Sequence, residues 1–139
     1  MTGYTIEPEV AGGLGVRTVI DASVDPPRVD HLDYELAGWQ GDDIVEAFPC
    51  FAVTSALGDS LRAAHVTGFS LAEMTVSTTP EFDERHRSPL PTFHWLRVTG
   101  RAGVDDLWIG DDLVLRASER AYAVLAGAHL AHAVVERSA

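Results

Sequence analysis

Neither lysine nor asparagine occurs anywhere in the 139 residues, so all ten basic side chains are arginine. AT-rich codons encode both missing residues, so the codon bias of a GC-rich genome, as in many bacteria, is the plain explanation to expect. The chemical consequence is independent of the cause. Without lysine there is no phosphate-cradling loop ending in Gly-Lys-Ser/Thr, no Schiff-base amine and no kinase-type Lys–Glu pair. Cysteine is nearly as scarce: Cys50 stands alone, so no internal disulfide can form, which agrees with a reducing compartment. Following Pro49 at the start of an apolar run, it reads as a buried, inert thiol. No apolar run approaches the roughly 20 residues that cross a bilayer. The opening MTGYTIEPEV has neither the positive start nor the apolar stretch of a secretory signal. The expectation is a cytoplasmic protein that does not engage membranes.

With 46% hydrophobic and 22% charged residues, the chain has a globular composition, and its length suits one domain spanning 1–139. The net charge is −11, and residues 1–50 hold ten acids against two arginines. Such an acidic pole repels nucleic-acid phosphates and anionic lipids and attracts a cationic partner. The single basic cluster, Arg85-His86-Arg87, sits among Glu81, Asp83 and Glu84, which argues against nucleic-acid binding.

Two stretches resemble each other. Shifting Thr54–Ser70 by 64 positions places Leu61 on Leu125, Ala64 on Ala128 and His65 on His129. In each, a short apolar strand (CFAVT, LVLRA) leads to a hydroxyl cap, Thr54 or Ser55 and then Ser118. A helix follows, with one apolar stripe: Leu57, Leu61 and Ala64 in the first copy, Ala121, Val124, Leu125 and Ala128 in the second. Gly68 is placed to end the first helix, and FSLAEMTV and LAHAVVE leave as strands. Elsewhere, HLDYELAG alternates Leu32, Tyr34 and Leu36 with polar residues as one strand. Val16–Ile20 and a segment holding Ile44, Val45 and Phe48 read as further strands, and AGGLG and VDPPR as loops. Ser77–Pro91 reads as a long surface loop, TFHWLRVTG as a strand, and Gly110-Asp111-Asp112 as a three-residue hairpin turn. These elements predict an α+β fold: a mixed, mostly antiparallel sheet with two similar helices packed on one face of it.

A search for chemistry returns little. No Gly-x-Ser-x-Gly elbow positions a nucleophile, and GGLG lacks the third glycine of a dinucleotide loop. Asp42-Asp43, Asp105-Asp106 and Asp111-Asp112 read as solvated turn acids. The six histidines form no His-Glu-x-x-His pattern. His129 and His132 with a nearby carboxylate leave open a small metal-dependent hydrolase, and a generic interaction module forming a homodimer also stays open.

The run from His31 to Ser77, then PTFHWLRVTG and DDLWIGDDLVLRASERAYAVL, resembles immunity proteins of bacterial polymorphic toxin systems over residues 30–136. Its carriers are Pro49-Cys50-Phe51 running into a capped helix, the Thr67-Gly68-Phe69 exit, the Asp-Asp-aromatic hairpin and Ser118-Glu119-Arg120-Ala121. Arg116-Ala117 departs from the pattern, which has a plain valine before the serine. The resemblance implies an inhibitor that binds and blocks a cognate toxin domain, with no catalytic residues and no cofactor. Many toxin domains act on nucleic acids and are basic, so acids beside aromatics are the expected contacts. These are Trp39 with Asp42, Asp43 and Glu46, and Trp108 with Asp105, Asp106, Asp111 and Asp112. Trp39, flanked by glycines, is expected to be exposed.

Overall fold

A computed structural model describes residues 3–138. It is α+β, with mostly antiparallel pairing, but the strands form separate sheets in place of the one shared sheet expected. The first pairs β1 (Gly3–Glu7), β11 (Leu107–Ile109), β12 (Leu115–Ala117) and β13 (Val134–Ser138) in the order β11-β12-β1-β13. The second pairs β6 (Ile44–Ala47), β7 (Cys50–Thr54), β8 (Phe69–Ala72) and β10 (Phe93–Val98) in the order β6-β7-β10-β8.

The two sheets are connected alike. A hairpin, β6-β7 or β11-β12, leads into a helix, α1 (Ser55–Ala63) or α3 (Glu119–Ala126). The chain then crosses to the far side of a strand antiparallel to both flanking ones, β10 in one sheet and β1 in the other. Each helix packs on its own sheet, and the two helices touch. Leu57 and Leu61 of α1 meet Ala121 and Leu125 of α3 in one core with Phe51, Val53 and Leu96 from one sheet and Ile6, Leu115 and Ala117 from the other. Neither short helix could persist in water without this burial. Truncating the fully buried Leu61 to alanine should cost about 2–5 kcal/mol.

All five residues of β7 are buried, because its sheet is covered on both faces, and a continuous apolar run is what such a strand requires. Beyond it lie β2 (Gly12–Leu14), β5 (Asp33–Leu36) and β9 (Thr75–Thr78), with β5 and β9 parallel, and a ribbon of β3 (Val19–Asp21) with β4 (Arg28–His31). Tyr34, Leu36, Ala52, Phe82 and Phe93 fill the space between the three-stranded sheet and β7.

Several expectations are corrected. HLDYELAG is two strands in different sheets, β4 and β5, broken at Leu32. Its alternation fails because Asp33 is as buried as Leu32 and Tyr34. FSLAEMTV likewise divides into β8 and β9. AGGLG holds β2: a Cβ at Gly12 would stand 1.8 Å from the carbonyl oxygen of Glu35, so glycine there permits the close pairing with β5. Val16–Ile20 forms a strand only from Val19. Phe48 lies in the β6-β7 turn and is exposed. The Ser77–Pro91 loop contains β9's last residues and a short helix, α2 (Pro80–Arg85), capped by Thr79 with Pro80 at its start. The hairpin turn spans Gly110–Val114, because β12 begins only at Leu115. Gly68 does not terminate α1, which ends at Ala63 with His65 in the left-handed region. Gly68, at φ +98, instead lets the chain press against Leu107: a Cβ would lie 2.2 Å from the Leu107 carbonyl oxygen.

Candidate functional site

Asp43 immediately precedes β6, and Asp106 immediately precedes β11. Each carboxylate takes the hydroxyl of the residue capping the next helix: Thr54 Oγ1 donates to Asp43 Oδ1 over 2.9 Å, and Ser118 Oγ donates to Asp106 Oδ1 over 2.7 Å. Each also takes a backbone N–H from the loop behind the other helix. His129 N–H donates to Asp43 Oδ2 at 2.8 Å, and Thr67 N–H to Asp106 Oδ2 at 2.9 Å. Main-chain bonds repeat the correspondence, with Thr54 N–H donating to Asp43 O and Ser118 N–H to Asp106 O. The two aspartates therefore lock the halves of the molecule to each other. Arg120 reinforces one lock, donating to Asp106 and to the carbonyls of Ala64 and His65. Burial opposes ionisation of Asp106, yet the bonds from Arg120, Thr67 and Ser118 outweigh it and hold the carboxyl at about 2, below the usual 3.8.

Asp42 is 1% exposed. His132 donates its backbone N–H to Asp42 Oδ2 at 2.8 Å, and its Nδ1 lies 3.0 Å from Oδ1. Glu9, also buried, accepts the N–H groups of Gln40 and Asp42. Asp42 thus leaves the expected contact surface; it ties the segment after α3 to the turn before β6. The donor atoms of Glu9, Asp42 and His132 lie within 4.8 Å of one another, so His132 does meet carboxylates. His129 joins Asp43 through its backbone instead. Nothing in the sequence marked Glu9, whose partners lie more than thirty residues away.

Trp39 is half-buried, not projecting. Its Nε1–H donates to Asp42 O at 2.9 Å, and its ring stands edge-on to Phe93 at 5.7 Å. Asp105 accepts the backbone N–H of Arg101 and so closes its own loop. Asp112 pairs with Arg116 at 2.7 Å, Asp111 is exposed in the same turn, and Trp108 is half-buried on β11. Glu46, on the edge strand β6, is half-buried; burial, then the neighbouring charge of Glu7, pushes its carboxyl up. Among the described residues neither Glu7 nor Glu46 is paired with an arginine.

Besides the contact of Thr75 Oγ1 with His31 Nε2 at 2.8 Å, one serine–imidazole pair has no sequence signal: Ser55 Oγ lies 2.9 Å from His94 Nε2. The pairing spans 39 residues and has no local motif. No carboxylate among the described residues bonds the other nitrogen of His94, so the third member that would orient an imidazole base is missing. Cys50 is buried, its thiol pushed up to about 11, where it is no nucleophile at neutral pH.

No helix among the described residues is long and apolar enough to cross a membrane. Comparison of the chain with protein-family models, with curated proteins and with solved structures gives no match.

Proposed function

We propose that the protein acts by occupying another protein: it is a stoichiometric inhibitor of a basic bacterial toxin domain, as its resemblance to immunity proteins implies. One observation carries the reading. Glu46 keeps a carboxylate half-buried on an edge strand beside Glu7, and among the described residues no arginine or histidine pairs with either charge. A lysine or arginine from a partner would relieve both the burial cost and the repulsion. The rigid frame behind it, read here as a duplicated strand–helix–strand unit, suits an inhibitor because little order is lost on binding. Exposed Asp111 and half-buried Trp108 are secondary candidates on the other hairpin. Co-expression with the toxin domain encoded beside the gene tests the reading. Rescue of growth by the native chain but not by Glu46→Arg supports it; growth indifferent to the native chain sinks it.

A second reading is metal binding, favoured by the proximity of Glu9, Asp42 and His132. Stoichiometric zinc uptake that disappears in His132→Ala would raise it above the first. Every oxygen of the two carboxylates already accepts a hydrogen bond, and a metal would have to compete with these.

A further inference from the structure

A cleft opens between the β6-β7 turn, the loop preceding β4, the middle of β10 and the β11-β12 turn, with a volume of about 390 Å³. Its lining is mostly apolar and includes Phe48, Ile109, Leu113 and Trp95, the last largely buried. Phe48 is 54% exposed and lines the cleft, so an apolar body bound there would cover surface that otherwise meets water. Two of the ten arginines in this strongly acidic chain, Arg28 and Arg97, line the cleft, and none of its 21 acids does. Arg97 lies 4.7 Å over the Trp95 ring and forms no ion pair among the described residues. Among the described residues Arg28 pairs only with the exposed Asp30, at 3.4 Å, a contact of little strength. Cys50 also lines the cleft, as a neutral thiol that adds no competing charge.

Small-molecule sites are mostly apolar clefts of roughly 300–1,000 Å³ with a few placed polar groups, and this one is at the small end. From its size, its apolar walls and its two cations we infer that the cleft binds a small organic acid with an aliphatic or aromatic body. The carboxylate meets Arg97 and Arg28, and the body lies against Trp95, Phe48 and Ile109. The inference does not depend on the inhibitor reading, since it concerns other residues and a ligand of opposite charge.

Octanoate, octanol and octylamine titrated into the full chain by calorimetry, with tryptophan fluorescence alongside, test it. Octanoate should bind saturably and more tightly than octanol, and octylamine should not bind. Exposed Arg97 is replaceable without threat to the core, and R97Q should weaken octanoate at least about tenfold, bringing it near octanol. F48A should weaken both by a similar factor. Should R97Q prove poorly folded by circular dichroism, R28Q carries the same expectation in smaller measure. Equal affinity for octanoate and octanol, unchanged affinity in a folded R97Q, or no octanoate binding below about 1 mM would each overturn the inference.

Discussion

Asp43 and Asp106 do the same thing in two different sheets: each fastens the cap of its own helix to the loop behind the other helix. Replacing either by alanine strands a hydroxyl and a backbone N–H, at about 1–3 kcal/mol. Urea unfolding should show comparable losses for Asp43→Ala and Asp106→Ala. A loss confined to toxin binding, with stability intact, would return these residues to the contact surface.

The low pKa of Asp106 also sets an acid limit. Its carboxyl is held at about 2 in the folded chain against an ordinary 3.8, so its contribution is complete above about pH 4, shrinks below that, and is lost as pH falls through about 2. Because Arg120 is half-exposed, that contribution is screened to on the order of 1 kcal/mol. Native and Asp106→Asn chains should therefore differ in stability at pH 6, with the gap narrowing below about pH 4 and closing only below about pH 2. A gap of the same size at pH 6 and below pH 2 would mean that the charge of Asp106 is not what matters.

Thr54 and Ser118 cap their helices, accepting from Leu57 N–H and Ala121 N–H, while donating to the aspartates. Each alanine substitution should cost about 1 kcal/mol for the lost cap. In a double-mutant cycle Thr54→Ala and Asp43→Ala should couple by about 0.5 kcal/mol or more, and the Ser118–Asp106 pair should do likewise. Full additivity would break the proposed chain from helix cap to carboxylate.

Glu46 reverses the usual sign. A carboxyl raised by burial and by Glu7 favours folding while protonated, and that advantage is lost as pH rises through its folded pKa. Glu46→Gln should accordingly stabilise the chain at neutral pH, with the gain shrinking in acid, while slowing association with a basic partner. A variant equally stable and equally fast would show that Glu46 carries no stored electrostatic cost.

Helices α1 and α3 were legible in the sequence because cap and stripe are local: Thr54 with Leu57 and Leu61, Ser118 with Ala121 and Leu125; α2, a six-residue helix with no apolar stripe, was not. Strand identity was less so, since HLDYELAG and FSLAEMTV are each divided between two sheets, at Leu32 and at Glu73-Met74, by contacts made far along the chain. The first strand, Gly3–Glu7, was missed because its partners lie at the other end of the sequence. The locks had a signal that went unused. Asp42-Asp43-Ile44 and Asp105-Asp106-Leu107 each open a hairpin that ends at a helix cap, and reading the doublets as solvated turns hid that parallel. The Ser55–His94 and Glu9–Asp42–His132 groups depend wholly on tertiary contacts, which no spacing reveals.

The claim that this molecule works by binding is tested most directly by titrating the purified toxin domain with purified protein while following its activity. Inhibition should be complete at one equivalent, with an association rate that falls as salt rises and falls again in Glu46→Gln. Silencing at well below one equivalent, or an undiminished toxin at excess, would contradict it.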